Sequence, residues 1–180
     1  MSLQIAFITG RSQPGKTALS PPQRAFINTL SREGEVVPAN FPWVIQRDVW
    51  QETPLVQASI NNARDYLGSR RPAFVRTYQA AAVALLESAE HTLLLSGSCG
   101  LELFNNLQLP NSLMSRVSLF AWGPVAQCRP DCRHLLVQGR QDWISRLWFR
   151  KPDVYITCGH MNYLTQPALA DLCIRFIRTF

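Results

Sequence analysis

Ser98, Asp142 and His160 are the residues of this chain whose types and surroundings point to covalent chemistry. Ser98 is central in Ser96-Gly97-Ser98-Cys99-Gly100, which follows an apolar run at residues 92–95 and precedes the helix-like Leu101-Glu102-Leu103-Phe104. A strand, a sharp turn of small residues around a serine, and a helix form the plan of a nucleophile elbow. The positions two before and two after that serine must be small, and Ser96 and Gly100 are. Making Cys99 the nucleophile would put Leu101 at one of those positions, so Ser98 is the better candidate. Asp142 ends the turn Gly139-Arg140-Gln141-Asp142 after one apolar run, and His160 ends Cys158-Gly159-His160 after the last. A serine hydroxyl attacks poorly until a base takes its proton; histidine can be that base, and aspartate can fix its tautomer. The chemistry expected is acyl transfer through a serine ester.

These side chains meet only if the apolar runs are parallel strands whose ends share one edge. Strands are expected over residues 4–9, 35–39, 92–96, 116–122, 134–138 and 154–158, most of them continuously apolar, as in a sheet covered on both faces. Helices are expected over residues 21–32, as a pair within 55–90, and over 101–107 and 167–179. Alternating strands and helices predict an α/β fold with a mostly parallel sheet, whose chemistry gathers at the carboxyl ends of the strands. Rival residues fail on position. Asp153 precedes the last strand, which puts it about 16 Å from that edge. His91 and His134 also begin their strands, and Glu102 lies within the elbow helix.

A second motif competes. Gly10, four residues, then Gly15-Lys16-Thr17 fits the phosphate-loop pattern after a strand-like run. In such a loop the helix starts at the Gly-Lys-Thr, where it faces the phosphates. Here Pro21 and Pro22 would fall in its second turn, where each removes a backbone bond. Ser20, Pro21 and Gln23 instead predict a capping box and a helix start at Pro21. Pro14 also withdraws an N–H from the loop, and a partner strand ending in aspartate for Mg²⁺ is missing.

The 180 residues suit one domain, with 47% hydrophobic and 17% charged residues and a net charge of +6 carried almost wholly by dispersed arginines. No basic stripe interleaved with aromatics suggests nucleic-acid binding. The five cysteines are an odd number without disulfide-framework spacing. Cys128, Cys132 and His134 lack the second pair a tetrahedral metal set needs. No run approaches the roughly 20 apolar residues of a membrane span, and the apolar start is too short for a signal peptide. The expectation is a cytoplasmic protein with reduced thiols, no metal or cofactor, and no nucleic-acid or membrane partner. The oligomeric state is not readable.

With "FITGR", "LLLSGSCG", "LLVQGRQDWIS" and "VYITCGHMNYL" in this order, the chain resembles the α/β-hydrolase superfamily from Gln4 to its end. The resemblance implies a reduced α/β-hydrolase fold: a single domain over residues 1–180, a three-layer α/β/α sandwich with six strands in the order 2-1-3-4-5-6. The segment after Trp122, where many members carry a lid, is short, so an open cleft is implied. The resemblance also points to the backbone N–H groups of Cys99 and Arg11 as oxyanion donors. Ser98 would then be nucleophile, His160 base and Asp142 its orienter, in an enzyme cleaving a carboxylic ester or thioester. Trp43, Trp122, Met161 and Tyr163 could line an acyl pocket. Arg11 and Arg140 suggest an anionic substrate, such as an acyl chain on a phosphopantetheine carrier. Two other readings remain: a non-catalytic binding protein on the same fold, and a nucleotide-binding protein using residues 10–17.

Overall fold

The computed structural model describes residues 2–47 and 49–180. Six strands, β1 (Leu3–Thr9), β2 (Glu35–Asn40), β3 (His91–Gly97), β4 (Val117–Trp122), β5 (Arg133–Gly139) and β6 (Val154–Ile156), form one open sheet in the order β2-β1-β3-β4-β5-β6. Every neighbouring pair is parallel. That is the strand order expected, and the sheet is wholly rather than mostly parallel.

The apolar runs explain the pairing. Every residue of β3 is buried, because it lies at the centre of the sheet with helices over both faces. Its Leu94 joins an apolar cluster with Ala6, Ile8, Leu119 and Leu136, while Leu93 and Leu95 join another with Ile5, Phe7, Phe120 and Val137. Alternate side chains thus enter opposite cores. Each fully buried leucine contributes about 1.5–3 kcal/mol by leaving water. The first core is closed by α3 (Pro72–Glu87) and α4 (Gly100–Asn106), the second by α1 (Pro21–Thr29) and α6 (Pro167–Ile177). Two further helices, α2 (Leu55–Ser69) and α5 (Trp143–Trp148), complete the set.

Helix α1 starts where its caps dictate. Gln23 N–H donates to Ser20 Oγ, and Ser20 N–H donates to Gln23 Oε1 at 2.9 Å, so both orphan donors are satisfied. The register then sets the rim that matters. Gly97 pairs with Thr9 on one side and Trp122 on the other at the carboxyl ends of β1, β3 and β4, and Gly139 pairs with Ile156 at the ends of β5 and β6. The residues just beyond these ends share one edge.

Candidate active site

The turn between β3 and α4 is held from both sides. Ser98 N–H donates to Trp122 O at 3.2 Å, and Ser98 O accepts from Val125 N at 2.9 Å. Ser98 itself has φ +51°, in the left-handed region that L-residues enter at a cost. Close packing explains the small neighbours. A Cβ on Gly100 would sit 1.9 Å from Ile8 O, and one on Gly97 would sit 2.9 Å from the Trp122 ring. The strand, turn and helix therefore lock together with Ser98 at the apex.

His160 lies in the loop after β6, and Asp142 in the turn after β5. Ser98 Oγ is 3.4 Å from His160 Nε2, and His160 Nδ1 is 2.9 Å from both carboxylate oxygens of Asp142. Three strand ends thus bring the three side chains into one hydrogen-bonded chain. Asp142 is buried and also accepts from Ser145 N at 2.9 Å, which caps α5, and from the Tyr163 hydroxyl at 2.5 Å. Burial pushes its carboxyl up, but the donors from His160, Tyr163 and Ser145 more than offset this, so it sits below the ordinary carboxylate range. It remains an anion, acceptor-only, facing a ring N–H.

Two thiols flank this chain without sharing its chemistry. Burial raises the Cys99 thiol to about 12 and the Cys158 thiol to about 11. Neither is a thiolate near neutrality, and the Cys99 thiol is buried and donates to Asn62 O at 3.8 Å. Ser98 Oγ is the side-chain oxygen within hydrogen-bond reach of His160 Nε2.

A cleft of about 370 Å³ opens over Ser98 and His160. Trp122 forms part of its floor and Met161 part of its exposed rim, while Trp50 and Asn62 contribute from residues that sequence reasoning did not single out. Trp43 packs edge-on against Phe41 and donates its indole N–H to Phe7 O at 2.8 Å, away from the cleft. Tyr163 borders the cleft with its ring but is turned inward. Its hydroxyl accepts from Gly139 N at 2.7 Å and donates to Asp142.

Two expected residues have other roles. Arg11 N–H donates to Asp65 Oδ2 at 2.7 Å, and its guanidinium pairs with Asp65 Oδ1 at 2.7 Å. Burial works against the Arg11 charge, but the hydrogen bonds and charge of Asp65 and Tyr78 more than compensate, leaving its pKa above the ordinary value. An N–H committed to a carboxylate does not await an oxyanion, and a paired guanidinium is not a free anion receptor. Arg140 lies outside the cleft with its guanidinium stacked on the Tyr155 ring at 5.5 Å. The charge argument for an anionic acyl carrier therefore loses both supports. Asp65 escaped sequence reasoning because it lies 54 positions from Arg11 and no local pattern links them.

The rival acids and bases sit elsewhere. His91 begins β3 and bonds Ser118 Oγ at 2.9 Å; Asp153 pairs with Arg129 and receives Leu136 N–H. Glu102 is buried under Arg70, Asn106 and Gln127 N–H. Residues 10–17 do not form a phosphate loop: the next helix begins at Pro21, and the buried Thr17 hydroxyl donates to Val44 O at 2.5 Å. Among the described residues no three His, Cys, Asp or Glu side chains gather as a metal site, and no helix is long and apolar enough to cross a membrane. The chain matches no protein-family model, and no curated protein matches it significantly in sequence.

Proposed function

We propose that this protein is a serine hydrolase on a reduced α/β-hydrolase fold, cleaving a carboxylic ester or thioester through an acyl-enzyme. The observation that carries the reading is the hydrogen-bonded chain from Ser98 through His160 to a buried, ionised Asp142, with Ser98 at the apex of a left-handed turn. In the first step His160 Nε2 takes the Ser98 proton as Oγ attacks the substrate carbonyl. Asp142 holds Nδ1–H, which leaves Nε2 as the acceptor, and it stabilises the imidazolium that forms. The Cys99 N–H, at the start of α4, is the donor assigned to the developing oxyanion; one such donor is typically worth about 10²–10³-fold in turnover. The imidazolium then protonates the leaving alcohol or thiol. Water, deprotonated by the same Nε2, releases the acid and regenerates Ser98. Substrate specificity falls to a cleft with an indole floor and an open rim, which favours an acyl group of modest size and leaves much of the leaving group in solvent.

Labelling with a fluorophosphonate tests this directly, since the probe needs an activated serine and little recognition. Wild-type protein is expected to label at Ser98, and Ser98→Ala to lose the label while keeping its circular dichroism. Folded wild-type protein that does not react would defeat the enzyme reading and favour a binding role for the same cleft.

A further inference from the structure

Helix α5 presents an unusual surface for so short an element. Trp143, Ile144, Leu147 and Trp148 are 73%, 51%, 72% and 54% exposed, so four of its six residues are large apolar side chains facing outward. Its inner side is anchored without them. Ser145 is buried, accepting from Gln138 and donating to Pro124 O, and the Asp142 carboxylate caps the first turn. Single exposed apolar residues are ordinary, but a contiguous set marks an interaction site.

The charges around it narrow the partner. Arg140, Arg146, Arg150 and Lys151 are exposed, and none of them takes part in an ion pair recorded among the described residues. The one acidic side chain within residues 140–151, Asp142, is buried under His160 and Tyr163. Indole and aliphatic side chains bordered by Arg and Lys are what an anionic bilayer surface binds: rings settle at headgroup level, and basic side chains meet phosphates. Two alternatives fit less well. Four apolar side chains on one turn and a half fall short of the roughly 20–30 residues a side of a stable protein interface. A second copy would also set like-charged flanks against each other in a chain of net charge +6.

The patch continues toward the cleft. The Trp148 ring meets Tyr66 of α2 at 5.9 Å, and Val56, Ile60, Ala63 and Leu67 lie along one outward face of that helix at helical spacing. On its other side α2 borders the cleft through Asn62. We propose that α5 and its basic flank form a docking surface for an anionic lipid bilayer, with α2 extending that surface beside the cleft. Binding of this kind needs no membrane-spanning helix.

Vesicle flotation tests it without using the chemistry of Ser98, so the result stands whatever the labelling experiment gives. The probe is phosphatidylcholine vesicles with and without phosphatidylglycerol, at low and high salt. Wild-type protein is expected to float with the anionic vesicles, with a blue-shifted tryptophan emission, and to be released by salt. Arg146→Glu with Arg150→Glu is expected to weaken binding by at least about tenfold. Trp143→Ser with Leu147→Ser, outward positions chosen to spare the fold, is expected to weaken it by a similar factor. The proposal is overturned if the folded wild type does not float, or if both double variants float as well as it does. It is equally overturned if ultracentrifugation shows a dimer that Trp143→Ser with Leu147→Ser abolishes, which would assign the surface to a second copy.

Discussion

Tyr163 shows how much of this site depends on a residue that performs none of the proposed bond changes. Its hydroxyl stands between Gly139 N–H and Asp142 Oδ2, so it fixes the carboxylate that fixes His160. Burial and its donation to Asp142 raise its pKa well above the ordinary phenol value, so it stays a donor across the working range. Tyr163→Phe keeps the ring but leaves a buried N–H unpaired and removes one donor from Asp142, a loss of about 1–3 kcal/mol in stability. The pH dependence has a definite sign. Asp142 is held below its unfolded pKa, so its contribution is present above the unfolded value and is lost as pH falls through the depressed folded value. Without the Tyr163 donor the folded value moves upward, so the Asp142 contribution is smaller, and its loss, which starts near the unfolded value in both proteins, is complete at a higher pH than in wild type. Urea unfolding from pH 7 downward measures this; superimposable acid limbs for the two proteins would show that Tyr163 does not tune Asp142.

At the scale of elements, close contact decides between propensities, and it also decides what can be read from letters. Gly100 opens α4, where alanine is the better helix former, yet its Cβ would meet Ile8 O at 1.9 Å. Gly68, in α2, has nothing within 4 Å of a Cβ. Gly100→Ala is therefore expected to destabilise by about 1–3 kcal/mol through overpacking, and Gly68→Ala to stabilise by up to about 1 kcal/mol. Thermal melts of the two should move in opposite directions; a shared direction would mean that helix propensity, not the α4–β1 contact, governs the elbow. The need for a small residue at position 100 was legible in the sequence because it follows a continuous apolar run and a run of small residues. The start of α1 was legible for a similar reason, since Ser20, Pro21 and Gln23 are local signals. Helix α5 was not: six residues are too few for a period to show, and its apolar side chains face solvent, against the pattern that marks a helix. Nor could spacing reveal the Arg11–Asp65 pair or the inward turn of the Tyr163 hydroxyl, because both depend on how distant segments meet.

For the molecule as a whole, the sheet carries both apolar cores and α2 borders the cleft through Asn62. The central strands β1, β3 and β4 are buried almost throughout and carry both apolar cores. Helix α2 buries only Asn61, Tyr66 and Ser69, and it is fastened to the rim by polar contacts: Asn61 to Ser12 O at 2.7 Å, and Asp65 to both the backbone and guanidinium of Arg11. A wall held this way should open at lower free energy than the sheet it rests on. Asp65→Asn keeps the shape but removes the charge that holds the partly buried Arg11, and removing one partner of a desolvated pair is destabilising to the extent that the other stays out of water. The effect should be local, because α2 can swing outward and return Arg11 to water without disturbing either core. Hydrogen exchange followed by mass spectrometry is expected to show β3 and β4 slowest in both proteins. In Asp65→Asn, exchange should accelerate in α2 and residues 10–17, with little change in the central strands. Uniform acceleration across the chain would instead make the Arg11–Asp65 clasp part of the global folding unit. The cleft would then be as rigid as the sheet, and substrates would have to fit the opening as it stands.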